Sequence, residues 1–315
     1  MTTGTAEVLR TRTRVRLGDR VFSISTVVAG TIILAVLAAV AIFLILQSLP
    51  AVFAQPGTLP SDAVNFWAYV WPFVFGTLWA AFLALIMATP LAIGIALFIS
   101  HYAPRRVSQV LGYIIDLLAA IPSVVFGLWG ITTLAPFVQP FYSWLTEVAG
   151  WFPLFAGPVS GTGRTILTAA IVLAVMVIPI MTAICREVFL QTPRLHEEAA
   201  LALGATRWEM VTMAVFPFAR SGIISAIMLG LGRALGETLA VAMVLSPAVI
   251  VKFAVLQAQS PNTIAANIAL QFPEATGLSV NALIASGLVL FVVTLLINVL
   301  ARYIVSRRKT FSGAN

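Results

Sequence analysis

Arg233 and Glu237 stand four residues apart in the stretch Gly230-Leu-Gly-Arg-Ala-Leu-Gly-Glu-Thr-Leu-Ala-Val. On a helix that spacing puts both on one face, where they can pair. Counting a 1.5 Å rise from Arg220 sets Arg233 about 20 Å and Glu237 about 26 Å along the axis. A charge at such depth in a bilayer costs at least about 2.5–3.5 kcal/mol, so it persists facing a partner or a watery path. Gly230, Gly232 and Gly236 remove side chains beside the pair and admit another backbone or a substrate. A guanidinium meets a tetrahedral oxyanion with a planar fork, where lysine offers a point charge. On the residues alone two roles stay open: contact with an anion, or a structural ion pair that fixes helix packing. Asp116, about 15 Å along its own run from Arg106, is a second such charge. It could accept a hydrogen bond from a neighbouring helix, balance Arg233 or line a path.

A second stretch is suited to recognition. It runs Thr192-Pro-Arg-Leu-His-Glu-Glu-Ala-Ala-Leu-Ala-Leu-Gly-Ala-Thr-Arg-Trp-Glu-Met-Val-Thr-Met-Ala-Val-Phe-Pro217. Thr192 can cap a first helix, with Pro193 at its opening position. Gly204 can end that helix in the left-handed conformation. Thr206 and Glu209 form the S/T-x-x-E pattern of a capping box opening a second helix, which Pro217 is expected to terminate. A helix–glycine–helix hairpin on a membrane face follows. Small Ala199 and Ala200 allow a partner to approach, and Glu198, Arg194 and Arg207 supply rim charges. An amphipathic helix lying in the interface is the other reading.

These residues sit in a chain of 315, of which 60% are hydrophobic and only 9% charged, with a mean hydropathy of +1.03. A soluble domain carries about a quarter charged residues, so the chain is an all-α integral membrane protein. Six apolar runs, at roughly 24–48, 70–100, 107–135, 165–190, 219–246 and 281–305, are each long enough to cross. Several exceed a straight crossing, and Pro90, Gly94, Pro122, Gly127 and Pro179 are the expected breaks. With the N-terminus inside, fifteen of the 18 basic residues fall on inner segments. Arg164 and Lys252 fall outside, and Arg233 lies within the fifth run. The positive-inside rule therefore sets both termini on the cytoplasmic side, and it explains the net charge of +7 without a nucleic acid partner. The organisation is an inner tail over 1–23, a transmembrane domain over 24–305 that includes the 192–217 loop, and an inner tail over 306–315. The N-terminal arginines and following run resemble a signal peptide, but the run is as long as a full span and is expected to be retained.

Several chemistries are excluded. One cysteine, Cys185, forbids an intrachain disulfide, and two histidines leave no Cys/His metal set. Neither Lys252 nor Lys309 lies in a P-loop, so this chain should not hydrolyse ATP. No Ser/His or Cys/His arrangement is apparent, so no catalytic residue is assigned. His101 and His196 fall at inner span ends. The outer loops, 49–69 and 138–163, carry Trp67, Tyr69, Trp71, Tyr142, Trp144, Trp151 and Phe152. These aromatics suit an interfacial belt or a docking surface for an extracytoplasmic partner.

Glu198-Ala199-Ala200, Gly204 and Phe216-Pro217 sit at the spacing of the EAA loop and resemble ABC-importer permeases, the binding-protein-dependent transport permease family. Ala214 and Phe216 stand where that motif usually has Ile and Leu. Arg-Ala-Leu-Gly-Glu-Thr at 233–238 and Ala-Ile-Pro-Ser-Val-Val-Phe-Gly at 120–127 resemble phosphate permeases of the PstC and PstA type. Thr263-Ile-Ala-Ala-Asn-Ile, Glu274-Ala, Asn298 and Ala301-Arg302 resemble the C-terminal third of the PstC type, which this wording fits better than PstA. Leu245-Ser246-Pro247 departs from the usual Gly-Asn. The resemblance covers roughly 20–310 and implies a type I ABC-importer permease fold. It implies a substrate path of Arg233, Glu237, Asp116, Thr238 and Ser123, and ATPase coupling through Glu198, Ala199, Ala200, Gly204, Arg194 and Arg207. It further implies a second, PstA-like permease subunit, a PstB-like ATPase dimer holding the ATP and Mg2+, and a PstS-like phosphate-binding protein. This chain itself would hold no cofactor. Sulfate or molybdate is the alternative cargo. A secondary transporter using Glu237 and Asp116 as proton carriers would leave residues 198–217 unexplained.

Overall fold

A computed structural model describes residues 17–306. Most of both expected tails, including Arg10, Arg12, Arg14, Arg16, Arg307, Arg308 and Lys309, lies outside the described residues. The chain forms two compact units, Met1–Gln47 and Ser48–Asn315. The helix α1 (Leu17–Val52) supplies the described part of the first unit as far as Gln47. Its apolar side chains are exposed along that length, the pattern of a helix whose surroundings are apolar on every side.

The second unit holds the remaining helices in the order α2 (Phe66–Leu97), α3 (Arg105–Ala119), α4 (Ser123–Trp129), α5 (Ala135–Ala149) and α6 (Ile166–Leu190). They are followed by α7 (Arg194–Ala202), α8 (Arg207–Met210), α9 (Phe216–Gly236), α10 (Leu239–Val244), α11 (Ile264–Gln271) and α12 (Leu278–Ser306). A short parallel pair, β1 (Pro247–Ala248) and β2 (Ser260–Pro261), lies between α10 and α11. At the centre α2 packs on α6. Ala80, Ala84, Ala88, Ala92 and Ala96 recur every fourth residue and are fully buried. In lipid, close van der Waals packing through small residues is what holds helices together. The Thr182 hydroxyl donates across the contact to the Ala92 carbonyl at 3.4 Å. On the other side of α6, Gly230 of α9 lets Val177 and Met181 close in, since a Cβ there would lie 2.7 Å from Val177 Cγ1.

Among the described residues six helices are long and apolar enough to cross a membrane: Gly18–Val52, Phe66–Tyr102, Ser123–Ala149, Ile166–Leu190, Arg207–Gly236 and Leu278–Tyr303. The third differs from the expected 107–135. Pro122 takes an extended ψ of 140° and separates α3 from α4; a proline disfavours the helical conformation in the residue before it, and here no widened turn carries the helix through. The crossing helix is therefore 123–149, which removes residues 138–149 from the expected outer loop. Pro90 and Gly94 lie inside α2 and Pro179 inside α6 without ending either helix.

Three π-helical turns have a common cause. Phe98–Tyr102, Gly130–Leu134 and Val211–Val215 each end two residues before a proline, Pro104, Pro136 and Pro217. In each case the residue before the proline donates its N–H to the carbonyl five back: Ala103 to Phe98, Ala135 to Gly130 and Phe216 to Val211. The wider turn accommodates the ring where an α turn would clash. Pro217 thus does not terminate its helix as expected, and residues 207–236 run on as one rod.

Candidate functional site

The EAA-like segment folds as a helix, a glycine turn and the start of that long rod. Gly204 has φ +86°. The Ala205 N–H reaches back to the Ala200 carbonyl and the Gly204 N–H to the Leu201 carbonyl, the paired bonds of a Schellman stop. Thr206 and Glu209 make the capping box: the Glu209 N–H donates to Thr206 Oγ1 at 3.3 Å, and the Thr206 N–H to Glu209 Oε2 at 2.7 Å. Thr192 does not cap α7. That role falls to Pro193, and the Thr192 hydroxyl is buried without a partner. No residue of α7 is buried. Glu198 and Ala199, Arg194, Arg207 and Gly204 are all exposed, and Ala200 is half-buried. Around them Leu195, Leu203 and Trp208 hold apolar surface in the open, Leu203 at 88% exposure.

One polar string ties this hairpin to the end of α2. His101 Nε2 lies 3.4 Å from Glu197 Oε1, and its Nδ1 lies 2.7 Å from Ser100 Oγ. A Ser–His–Glu sequence of contacts therefore exists that the sequence did not suggest. It has no nucleophile to offer, because the Ser100 hydroxyl donates its proton to the Ala96 carbonyl at 2.8 Å.

The membrane-buried residues group differently from the expectation. The helix α9 ends at Gly236, and Glu237 turns to an extended ψ of 129°. Its carboxylate, 8% exposed, accepts the Ala240 N–H at 3.2 Å and caps α10. No ion pair forms between Arg233 and Glu237 among the described residues. Thr238 sits in the break, its hydroxyl donating to the Gly236 carbonyl at 3.2 Å. Ser123 opens α4 directly after Pro122, and α4 packs on α10. A Cβ at Gly127 would lie 2.9 Å from Ala240 Cα, so the motif at 120–127 meets the backbone of α10, just after the motif at 233–238. Asp116 lies on an exposed face of α3, which is not part of any of the six candidate spans. On the inner side of α3, Gly112 makes room for the Arg186 guanidinium, 3.1 Å from where its Cβ would be.

Arg233 points elsewhere, into a cleft of about 930 Å³ between α6, α9 and α12. Ser225, Gly232, Asn298 and Arg302 line it with Arg233, beside apolar side chains such as Ile180, and none of its lining residues is acidic. The Arg233 Nε is buried with no hydrogen-bond partner. The structure thus joins Arg233 to Asn298 and Arg302, and leaves Glu237, Thr238, Ser123 and Asp116 outside the cleft. The sequence carried Asn298 and Arg302 only as wording shared with a family. Their place opposite Arg233 depends on α12 packing against α9.

The C-terminal end of α10 is also held by arginine. Arg164 Nη2 donates to the carbonyls of Leu245, at 2.7 Å, and Met243, at 3.3 Å, closing the end of α10. Of the expected aromatic belt, Trp67, Trp71, Trp144 and Trp151 are exposed. Tyr69 and Tyr142 are instead core residues, hydrogen-bonded to Asn267 and Thr168.

Residues 88–310 match the family described as binding-protein-dependent transport system inner membrane component. The chain is 44% identical over 310 residues to a Mycobacterium tuberculosis protein named phosphate transport system permease protein PstC 2, covering 92% of each. It is 48% identical over 239 residues to the Mycobacterium leprae phosphate transport system permease protein PstC, covering 72% of each. The crystal structure of a bacterial ABC transporter involved in the import of the acidic polysaccharide alginate superposes with a TM-score of 0.63 at 20% identity, covering 92% of this chain and 97% of that one. That likeness carries the fold. With six crossing helices, an EAA-like hairpin and these relatives, the chain belongs to the binding-protein-dependent transport system inner membrane components, and within them to the PstC permeases.

Proposed function

We propose that this multi-pass plasma-membrane protein forms half of the path of an ATP-driven phosphate importer. The observation that carries the reading is identity of 44% along 92% of the chain with a protein named for phosphate transport. In this reading a PstA-like permease supplies the other half, a PstB-like ATPase dimer the ATP and Mg2+, and a PstS-like protein delivers phosphate from outside. The termini face the cytoplasm, so the exposed hairpin at 194–209 lies on the ATPase side. Its apolar Leu195, Leu203 and Trp208 enter a groove of the ATPase while Arg194, Glu198 and Arg207 pair at the rim. Closure of the ATPases on ATP pushes this knob. Because α8 and α9 form one rod, the push reaches Arg233 directly.

Arg233 offers the anion a cation in a mostly apolar cleft, and no acidic side chain lines the cleft to quench it. Passage requires holding that is favourable but weak, which a guanidinium in an open cleft provides better than a closed cage. Arg233→Gln at normal membrane abundance is expected to abolish uptake of labelled phosphate in vesicles bearing the assembled complex. Unchanged uptake would remove Arg233 from the path. Purification of the chain from its native membrane, with identification of what accompanies it, tests the partners.

A further inference from the structure

The second arginine of the cleft has no part in that reading. We infer that Arg302, with Asn298 one turn before it, forms an inner station in the cleft that holds a phosphate group next after Arg233. The inference rests on the reading of the chain as a phosphate permease.

Four observations carry it. Arg233 and Arg302 reach one cleft from two helices, and no acidic side chain lines it to neutralise either. Two like charges in a mostly apolar cleft raise each other's cost, and an anion entering the cleft lowers it. Asn298 and Arg302 are four apart on α12 and share a face, adding an amide donor to the guanidinium fork. The Nε of Arg233 is buried with no hydrogen-bond partner, so no protein acceptor engages the guanidinium through that nitrogen. Along α9 the lining runs from Ser225 to Arg233, about 12 Å. That length allows two successive positions for one small anion. At about 930 Å³ the cleft is far larger than a phosphate group, so the ion keeps water and is not trapped.

A phosphate group can come from the transported ion or from an anionic lipid headgroup at the inner leaflet, and the experiment separates them. The full complex is reconstituted with Arg302→Gln, Arg302→Lys or the unchanged chain, in phosphatidylcholine vesicles with or without phosphatidylglycerol. Initial uptake of labelled phosphate, phosphate retained by the purified complex, and co-purifying phospholipid phosphorus are measured. Arg302→Gln is expected to lower uptake about tenfold at low ionic strength, with the deficit shrinking in high salt, as for a cation that concentrates an anion in a cleft. Arg302→Lys should recover most of it. If free phosphate is the occupant, the deficit appears in both lipids and retained phosphate falls. If a headgroup is, it appears only with phosphatidylglycerol and co-purifying phosphorus falls. Uptake, retention and phosphorus all equal to the unchanged chain would overturn the inference while leaving import standing. An unchanged complex that moves no phosphate would fail the import reading instead, and retention and phosphorus would still decide the station. Should Arg302→Gln not assemble, Asn298→Asp places a carboxylate in the same station, and it is expected to abolish retention; full retention in Asn298→Asp overturns the inference.

Discussion

Glu237 is nine-tenths buried, and its Oε1 accepts the Ala240 N–H at the start of α10. A carboxylate at a helix N-terminus is favoured both by that bond and by the helix dipole. Glutamine keeps an acceptor there and removes the charge, while alanine removes both. Glu237→Gln is therefore expected to retain most phosphate uptake. Glu237→Ala should lose about 1 kcal/mol of local stability and most of its uptake; equal loss in both variants would restore a role for the charge. The spacing of four that made Arg233 and Glu237 look paired is sound only on an unbroken helix. The break at Gly236–Thr238 has no proline to announce it, so the separation was not legible. The contact at Gly127 makes a companion prediction. Valine there meets the Ala240 backbone and Met243, an overpacking that costs about 1–3 kcal/mol. Gly94→Ala, with open space around it, serves as the control. Thermal unfolding of the purified chain should show a lower Tm for Gly127→Val and none of that drop for Gly94→Ala.

Among the elements, the hairpin was legible because its signals are local. A glycine with positive φ and a Thr-x-x-Glu box need no knowledge of the rest of the fold, and both formed as the residues suggest. Pro217 misled because a proline's effect depends on whether the preceding turn can widen. In Val211–Val215 it does, so the hairpin and α9 are mechanically one body rather than two joined by a stop. The third span was misplaced for a related reason: the run 107–135 is mostly apolar despite Gln109 and Asp116, and only the bend at Pro122 divides it into α3 and α4. Gly204 has empty space around its Cβ position but a φ of +86°, so any side chain there meets backbone strain of about 1–2 kcal/mol and little else. Gly204→Val should therefore shift the knob without harming the spans. Phosphate-stimulated ATP hydrolysis by the assembled complex is expected to fall to the basal rate, with normal abundance in the membrane. Intact stimulation would show that the hairpin does not transmit the nucleotide cycle.

At the scale of the whole molecule, composition settles the solvent before any motif is read, since a chain 60% hydrophobic and 9% charged has no soluble home for its surface. The six crossings followed from run length. What no count of apolar residues could supply is which faces meet, and so which of Arg302 and Glu237 would stand near Arg233. Orientation rests on a separate physical asymmetry, the cost of carrying Lys and Arg across the bilayer. It makes a prediction that the placement of the hairpin depends on. Cys185 is buried, so single cysteines introduced at exposed positions report their own side of the membrane. In cells lacking the ATPase that would cover it, Leu203→Cys, in the hairpin, is expected to resist a membrane-impermeant thiol reagent applied to intact cells and to react once the membrane is opened. Gly161→Cys, in the loop between α5 and α6, should react in intact cells, and a fluorescent protein fused after Asn315 should fluoresce. Labelling of Leu203→Cys from outside would put the hairpin on the face away from any cytoplasmic ATPase. The push along the 207–236 rod would then have no source.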